Sequence, residues 1–129
     1  MQQAETLDEH IEAHGTPVGP LHGLPISLKD QFHVKGNDTT MGYIGWIDTY
    51  EGSKNPTLVH QVDSQVVAEL KGLGAVLYCK TSLPQTLLLG ETVNNLIGET
   101  RNPLNQLLSC VGSSGAKVLS KPCAVVQSA

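Results

Sequence analysis

Residues 57–80, TLVHQVDSQVVAELKGLGAVLYCK, decide the fold class because a helical pattern in this stretch leads directly into a strand pattern. Leucine and valine recur at intervals of four from Leu58 to Leu70, which predicts an amphipathic helix that ends at Gly72 or Gly74. The residues that follow, AVLYCK, form a short continuous apolar run of the kind seen in buried parallel strands. This order predicts a helix that leads the chain into a strand.

The strand that precedes this helix is predicted within GPLHGLPISLKDQFHVKG, residues 19–36, where turn residues border an alternating apolar segment. We expect a strand at about residues 24–29 and a second one near 32–35. Strand, helix and strand in this order imply a right-handed β-α-β unit, so the predicted class is α/β. Residues 4–13 predict a short amphipathic helix, and residues 84–92 predict another.

The composition indicates one soluble domain, because the chain has 129 residues of ordinary make-up and a formal net charge of −4. Its 8 Lys and Arg residues are scattered among 12 Asp and Glu residues, so no basic stripe is available to bind nucleic acid. No apolar run approaches the roughly 20 residues that cross a bilayer, and the polar start is unlike a signal peptide. We therefore expect a cytoplasmic protein without membrane contact. The cysteines and histidines lack the spacing of metal ligands, and we expect no metal or other cofactor.

Lys29 lies inside the predicted strand, where a charge needs an explanation. One explanation is a lysine at a strand end whose amine reaches water along its apolar stem. The other is a buried amine whose pKa is lowered by desolvation, so that it acts as a base near neutral pH. The surrounding residues leave both explanations open. For the neighbouring Asp30 we expect a structural role, with hydrogen bonds from nearby backbone.

A second candidate lies in NPLNQLLSCVGSSG, residues 102–115, where glycine borders a pair of serines. Such a cluster is either an ordinary loop or a turn that brings two hydroxyl groups and backbone N–H groups close to a substrate. A serine hydroxyl is a weak nucleophile until a base takes its proton, and a neutral lysine can do so directly or through a second serine. Lys29 together with Ser113 and Ser114 would supply that relay.

These two candidates belong to a longer series of motifs, which is LDEH, GPLHGLPISLKDQFHVKG, NDTTMGY, GAVLYCKTSLPQT, ETVNNLIGETRNPLN and VGSSGA. In this order the motifs resemble those of the amidase signature family, in its fungal form, over residues 1–115. The resemblance implies a partial amidase signature domain, incomplete at both ends, in which a mixed β-sheet is flanked by helices.

The resemblance also implies a chemistry, since that family hydrolyses the C–N bond of carboxamides with a serine, cis-serine and lysine triad. Lys29 matches the triad base, and Ser113 matches the bridging serine, which a cis peptide bond holds in place. Such a bond costs about 3 kcal/mol outside proline and would mark stored functional strain. Ser114, Gly112 and Gly115 would support the site. The implied substrate is a small-molecule amide, and the sequence indicates no oligomeric state.

The family's nucleophilic serine follows the bridging serine at a distance that places it beyond Ala129, the last residue of this sequence. Residues 116–129, AKVLSKPCAVVQSA, do not resemble the family, but their codons permit GEGALQAMRGSPIG in a shifted reading frame, which does. We therefore expect a single-base slip near the codon for Gly115 and a product without amidase activity. The alternative is a stable, non-catalytic module with a binding or regulatory role.

Overall fold

A computed structural model describes residues 2–114 and the backbone of residues 125–128. The α-helices and β-strands of this part of the chain are, in order, α1 (Gln2–His14), β1 (Pro25–Lys29), α2 (Gln65–Gly72), β2 (Val76–Thr81), β3 (Val93–Asn94), β4 (Gly98–Glu99) and β5 (Val125–Ser128). Short 3₁₀ turns lie at Ile44–Trp46 and Gln85–Leu87. Neither α-helix is long and apolar enough to cross a membrane. The predicted tail, residues 116–129, lies outside the described residues except for β5.

The larger sheet has the strand order β1-β2-β5. Strands β1 and β2 run parallel, with Pro25 opposite Val76 and Lys29 opposite Thr81. Because α2 lies between them in the chain, the predicted strand, helix and strand unit and the α/β class are confirmed. β5 pairs antiparallel with β2, which makes the sheet mixed, and β3 and β4 form a separate two-stranded hairpin.

A small buried cluster joins the two parallel strands to α2. It consists of Leu28, Val34, Val67 and Leu77, with Ile26, Phe32 and Leu70 partly buried against it. Val67 is the residue of α2 that is completely buried, as expected for a helix that turns one face toward a sheet. Apolar side chains farther along the chain are exposed, above all Leu88, Leu104 and Leu107. The core of the described chain therefore lies where the parallel strands meet α2.

The predicted helix is shorter than its pattern, because α2 begins only at Gln65 instead of near Leu58. The residues just before it bind another part of the chain. Ser64 Oγ accepts a hydrogen bond from the backbone N–H of His33 at 2.8 Å, and Asp63 Oδ1 accepts one from the N–H of Lys35 at 2.8 Å. Because these tertiary hydrogen bonds hold Asp63 and Ser64 in a non-helical conformation, the helix cannot begin before them. The apolar repeat therefore starts in residues that are not helical.

The same hydrogen bonds explain why the second predicted strand, residues 32–35, is wrong. The N–H of Phe32 donates to the carbonyl of Lys29 at 3.1 Å and closes a turn directly after β1. The N–H groups of His33 and Lys35 then bind side chains instead of a neighbouring strand. The predicted helix over residues 84–92 is also wrong, since that stretch holds only the 3₁₀ turn Gln85–Leu87.

Candidate active site

Lys29 is buried at the end of β1, with 8 % of the residue exposed. Its Nζ atom donates hydrogen bonds to Ser113 Oγ at 3.2 Å and to Ser114 Oγ at 3.0 Å. Of the two explanations that the sequence leaves open, the position therefore agrees with the buried amine and not with an amine that reaches water. The structure brings together the lysine and both serines of the predicted site.

The end of β1 is fixed on both sides of Lys29. The N–H of the next residue, Asp30, donates to the carbonyl of Thr81 at 2.9 Å, and the hydroxyl of Thr81 donates to the carbonyl of Leu28 at 3.3 Å. The Leu28 side chain lies in the core. Because the carboxyl ends of parallel strands meet at one edge of a sheet, Lys29 stands where α/β folds commonly place their ligands.

The segment that carries the two serines is held by short hydrogen bonds from its neighbours. The N–H of Gly112 donates to the carbonyl of Gly90 at 2.7 Å, and the Thr92 hydroxyl donates to the carbonyl of Gly112 at 2.7 Å. Two residues earlier, the N–H of Cys110 donates to the carbonyl of Thr100 at 3.1 Å. These bonds tie the serine segment to the stretch around β3 and β4, and so set the position of its hydroxyl groups relative to β1.

The backbone just before the serines is bent into the left-handed region. Val111 has a φ of 51° and Gly112 a φ of 88°. Glycine adopts this conformation at no steric cost, whereas a β-branched residue such as valine is strained there by about 1–3 kcal/mol. The left-handed backbone conformation at position 112 thus explains why a glycine precedes Ser113. Gly115, the other predicted support residue, lies outside the described residues.

A second buried lysine, which the sequence analysis did not single out, lies beside the first. Lys80 on β2 is 5 % exposed, and its Nζ atom is 2.9 Å from Oδ1 of Asp30, which is 2 % exposed. Burial lowers the pKa of the Lys80 ammonium, and the Asp30 carboxylate opposes that shift. The position of Lys80 in the sequence could have identified it, because Lys80 ends an apolar run, as Lys29 does, and therefore lies at the same edge of the sheet. The hydrogen bonds expected for Asp30 are observed, since its carboxylate accepts from the backbone N–H groups of Thr40 and Met41.

The cis peptide bond that the resemblance implies at Ser113 is not observed, since the peptide bonds between described residues are all trans. A trans bond is favoured by about 3 kcal/mol at a residue other than proline, and only a surrounding structure that fully determines the geometry overcomes this preference. Ser113 reaches Lys29 in the trans form. This correction concerns the peptide geometry and leaves the contact between the two side chains in place.

One group of side chains has the chemistry of metal ligands, although the sequence predicted no metal. Ligand atoms of Asp38, Asp48 and His60 lie within 4.8 Å of one another. Asp38 Oδ1 is 2.7 Å from Nε2 of His60 and accepts a hydrogen bond from the N–H of Asp48 at 3.0 Å. The Asp38 carboxylate is thus engaged by its two neighbours in the group, and hydrogen bonding within the loops accounts for this arrangement.

Comparison with known proteins identifies the family. The Amidase family model matches residues 1–117. The chain is 53 % identical to an acetamidase of Emericella nidulans over 117 residues, which are 91 % of this chain and 20 % of that protein. An acetamidase of Aspergillus oryzae has the same identity and coverage. The chain thus spans about a fifth of the length of the curated relatives it matches.

Solved structures agree with this match. A fatty acid amide hydrolase is 43 % identical and superimposes with a TM-score of 0.74 over 88 % of this chain and 18 % of its own. A structure described as an amidase is 31 % identical, with a TM-score of 0.71 over 92 % of this chain and 25 % of its own. The family match over residues 1–117 includes β1, β2 and the segment with both serines, and the structural matches show that the resemblance in sequence extends to the fold. The chain belongs to the Amidase family.

Proposed function

We propose that Lys29, Ser113 and Ser114 belong to the proton-transfer apparatus of an enzyme that hydrolyses carboxamides. The observation that carries this proposal is the contact of one buried amine with two serine hydroxyl groups, at 3.2 and 3.0 Å. Membership in the Amidase family supports it, as does the match to a fatty acid amide hydrolase. Small-molecule amides are the proposed substrates, and the reaction needs no cofactor.

The proposed reaction begins with Lys29 as a neutral amine. The amine takes the proton of Ser113, which in turn takes the proton of a nucleophilic hydroxyl group as that oxygen attacks the amide carbon. The C–O bond forms, the C–N bond breaks, and the proton returns through the same relay to the leaving nitrogen. Water then attacks the acyl ester by the same route, which releases the carboxylic acid and restores the hydroxyl group. Ser114 holds the Lys29 amine from a second side.

The nucleophile in this scheme is a further serine, which the family resemblance does not match to any of residues 1–129. We expect a polypeptide of residues 1–129, which contains Lys29 and Ser113 without that serine, to release no more ammonia from acetamide than its Lys29→Ala variant does. Nucleophile, relay and oxyanion donors act as a unit, and a site without one of them loses most of its rate. Hydrolysis by the wild-type chain above the Lys29→Ala background would contradict this expectation.

A chimera tests the relay itself. Residues 1–114 of this chain would replace the matching segment of the Emericella nidulans acetamidase, which is 53 % identical over the matched region. We expect the chimera to hydrolyse acetamide, and Lys29→Ala or Ser113→Ala to lower kcat/KM about a thousandfold or more. Lys54→Ala, at an exposed position, is the matched control and should retain full activity. A Lys29→Ala chimera as active as the control would overturn the proposed function.

We also infer that residues 116–129 are read in a shifted frame and are not homologous to the amidase family, although β5 within them pairs with β2. The support is that the family match ends at residue 117, next to the predicted slip. Sequencing the transcript across codon 115 tests this inference. A frame that encodes AKVLSKPCAVVQSA without a neighbouring amidase-like frame would contradict it.

A further inference from the structure

Two buried charged residues, Asp30 and Lys80, lie next to Lys29 at the ends of β1 and β2. Asp30 follows Lys29 in the chain, and Lys80 lies on β2 opposite Leu28, the residue before Lys29. The ammonium of Lys80 and Oδ1 of Asp30 are 2.9 Å apart. The ion pair therefore joins the ends of both parallel strands at the level of Lys29.

The same two side chains also bind the loop of residues 38–41. Asp30 Oδ2 accepts hydrogen bonds from the Thr40 hydroxyl at 2.7 Å, from the Thr40 N–H at 3.2 Å and from the Met41 N–H at 3.1 Å. Lys80 Nζ donates to Thr39 Oγ1 at 2.8 Å and to the carbonyl of Asp38. The loop is thereby fastened to both strand ends through buried, charge-assisted hydrogen bonds, which are stronger than neutral ones.

We infer that Asp30 and Lys80 are positioning residues for the Lys29 amine: by fastening the 38–41 loop to the ends of β1 and β2, they hold that amine beside the two serines. The inference rests on the proposed role of Lys29 as the base. Asp30 and Lys29 are consecutive, yet the Asp30 carboxylate binds the loop while the Lys29 amine binds the serines. A shift of the Asp30 backbone would therefore move the point from which Lys29 extends.

The alternative is that the pair stabilises the fold without a particular effect on Lys29. A buried ion pair contributes little net stability compared with apolar residues of the same shape, so stability alone is a weak explanation for two charges at this position. Burial lowers the pKa of Lys80, and the Asp30 carboxylate opposes that change. The two explanations differ in whether loss of the pair exposes Lys29 more than it exposes other lysines.

The test measures the accessibility of each lysine in the full 129-residue chain. The protein is treated briefly with acetic anhydride, and acetylation at Lys29, Lys54 and Lys71 is quantified by peptide mass spectrometry. In the wild type we expect Lys29 to react slowly and exposed Lys54 to react fast. In Asp30→Asn and in Lys80→Met we expect the Lys29 rate to rise about tenfold or more relative to Lys71, since the opening is local.

Val67→Ala is the matched control, because it removes buried atoms from α2 without touching the ion pair or the loop. A general loss of stability exposes buried Lys29 through global unfolding but changes the rate of partly exposed Lys71 little, so the rise of the Lys29 rate in Val67→Ala shows what a loss of stability alone contributes. An Asp30→Asn chain in which Lys29 reacts at the wild-type rate, or no faster than the measured free energies of unfolding of Asp30→Asn and Val67→Ala account for, would overturn the inference. Because accessibility does not depend on catalysis, this result is separate from failure of the proposed function, which the chimera reports.

If neither charge variant gives the wild-type circular dichroism spectrum, Thr39→Val decides the question. This change removes the hydrogen bond from Lys80 Nζ and the one that the Thr39 hydroxyl donates to the carbonyl of Phe32, and it keeps both charges. A rise of about twofold or more in the Lys29 rate relative to Lys71 supports the positioning role, as local opening predicts. An unchanged ratio in Thr39→Val contradicts it.

Discussion

The candidate site has two halves that are built in different ways. The lysine half consists of the ends of β1 and β2 with the 38–41 loop, and buried charges, a parallel register and the apolar cluster below all fix it. The serine half consists of residues 109–114 with their partners around residues 90–100. Hydrogen bonds from Gly112, Thr92 and Cys110 hold it, and the adjoining Leu104 and Leu107 are exposed.

This difference indicates how each half depends on the rest of the fold. The lysine half uses neighbours that are buried and bonded within the described chain, so its geometry follows from local strand pairing and burial. The serine half has short, well-placed hydrogen bonds but little apolar burial of its own, and burial is the main source of stability in a folded domain. We therefore expect substitutions in the lysine half to cost more than comparable ones in the serine half.

The largest effect should come from breaking the buried ion pair from one side. Asp30→Ala leaves the Lys80 ammonium buried without its carboxylate, and we expect it to lower the free energy of unfolding by about 3–5 kcal/mol. Urea denaturation followed by circular dichroism measures the change. The double variant Asp30→Ala and Lys80→Met removes both charges and should regain much of the loss. If Asp30→Ala and the wild type had the same free energy of unfolding, the buried ion pair would not stabilise the lysine half as its contacts indicate.

The next effect compares a leucine from each region. Leu77, in the cluster under the lysine half, is 8 % exposed, whereas Leu107, next to the serine half, is 91 % exposed. We expect Leu77→Ala to lower the free energy of unfolding by about 2–5 kcal/mol, through lost burial and a residual cavity. Leu107→Ala should change it by no more than about 0.5 kcal/mol. A larger cost for Leu107→Ala would mean that this leucine is covered in solution, and the contrast between the halves would fail.

Within the serine half, two buried threonines form a matched pair. The Thr92 hydroxyl donates to the carbonyl of Gly112, while Thr100 Oγ1 has no hydrogen-bond partner among the described residues. Thr92→Val removes a donor and leaves the part-buried carbonyl of Gly112 without it, so we expect a loss of about 1–3 kcal/mol. Thr100→Val keeps the shape and removes an unpaired hydroxyl, and should be neutral or stabilising. Thermal unfolding of both variants tests this, and a Thr92→Val chain as stable as Thr100→Val would show that the Gly112 bond does not fasten the serines.

The lysine half was also the part more accessible to prediction from sequence. The alternating segment before Lys29 and the apolar run before Lys80 predict two parallel strands, because both signals are local. The contact of Lys29 with Ser113 spans 84 positions, and no spacing rule brings such residues together. The chemistry of these residue types indicated a possible relay, but only the family resemblance predicted that the fold brings them together.

The errors have a common physical cause. The apolar repeat that starts at Leu58 is a helix pattern, yet Asp63 and Ser64 bind backbone N–H groups about 30 positions away and stop the helix from starting earlier. Lys80 was overlooked because a lysine at the end of an apolar run has the same pattern whether its amine reaches water or meets a buried carboxylate. Both cases depend on partners that lie distant in the sequence.

The smallest effect should come from the partly exposed ion pair of Asp63 and Lys71, whose Oδ2 and Nζ atoms are 2.8 Å apart. Partial burial acts to raise the pKa of Asp63, but hydrogen bonds from Lys71 and from the Lys35 N–H outweigh it and hold that pKa below its usual value of 3.8. A carboxyl group with a lowered pKa stabilises the folded state above its usual pKa and loses this contribution as the pH falls through the lower, folded value.

We expect Lys71→Met to cost about 0–1 kcal/mol at neutral pH, far less than Asp30→Ala. The difference in free energy of unfolding between the wild type and Lys71→Met should shrink as the pH falls below 3.8, and urea titrations at several pH values measure it. A cost for Lys71→Met equal to that of Asp30→Ala would remove the distinction between a buried and a partly exposed pair on which the comparison of the two halves depends.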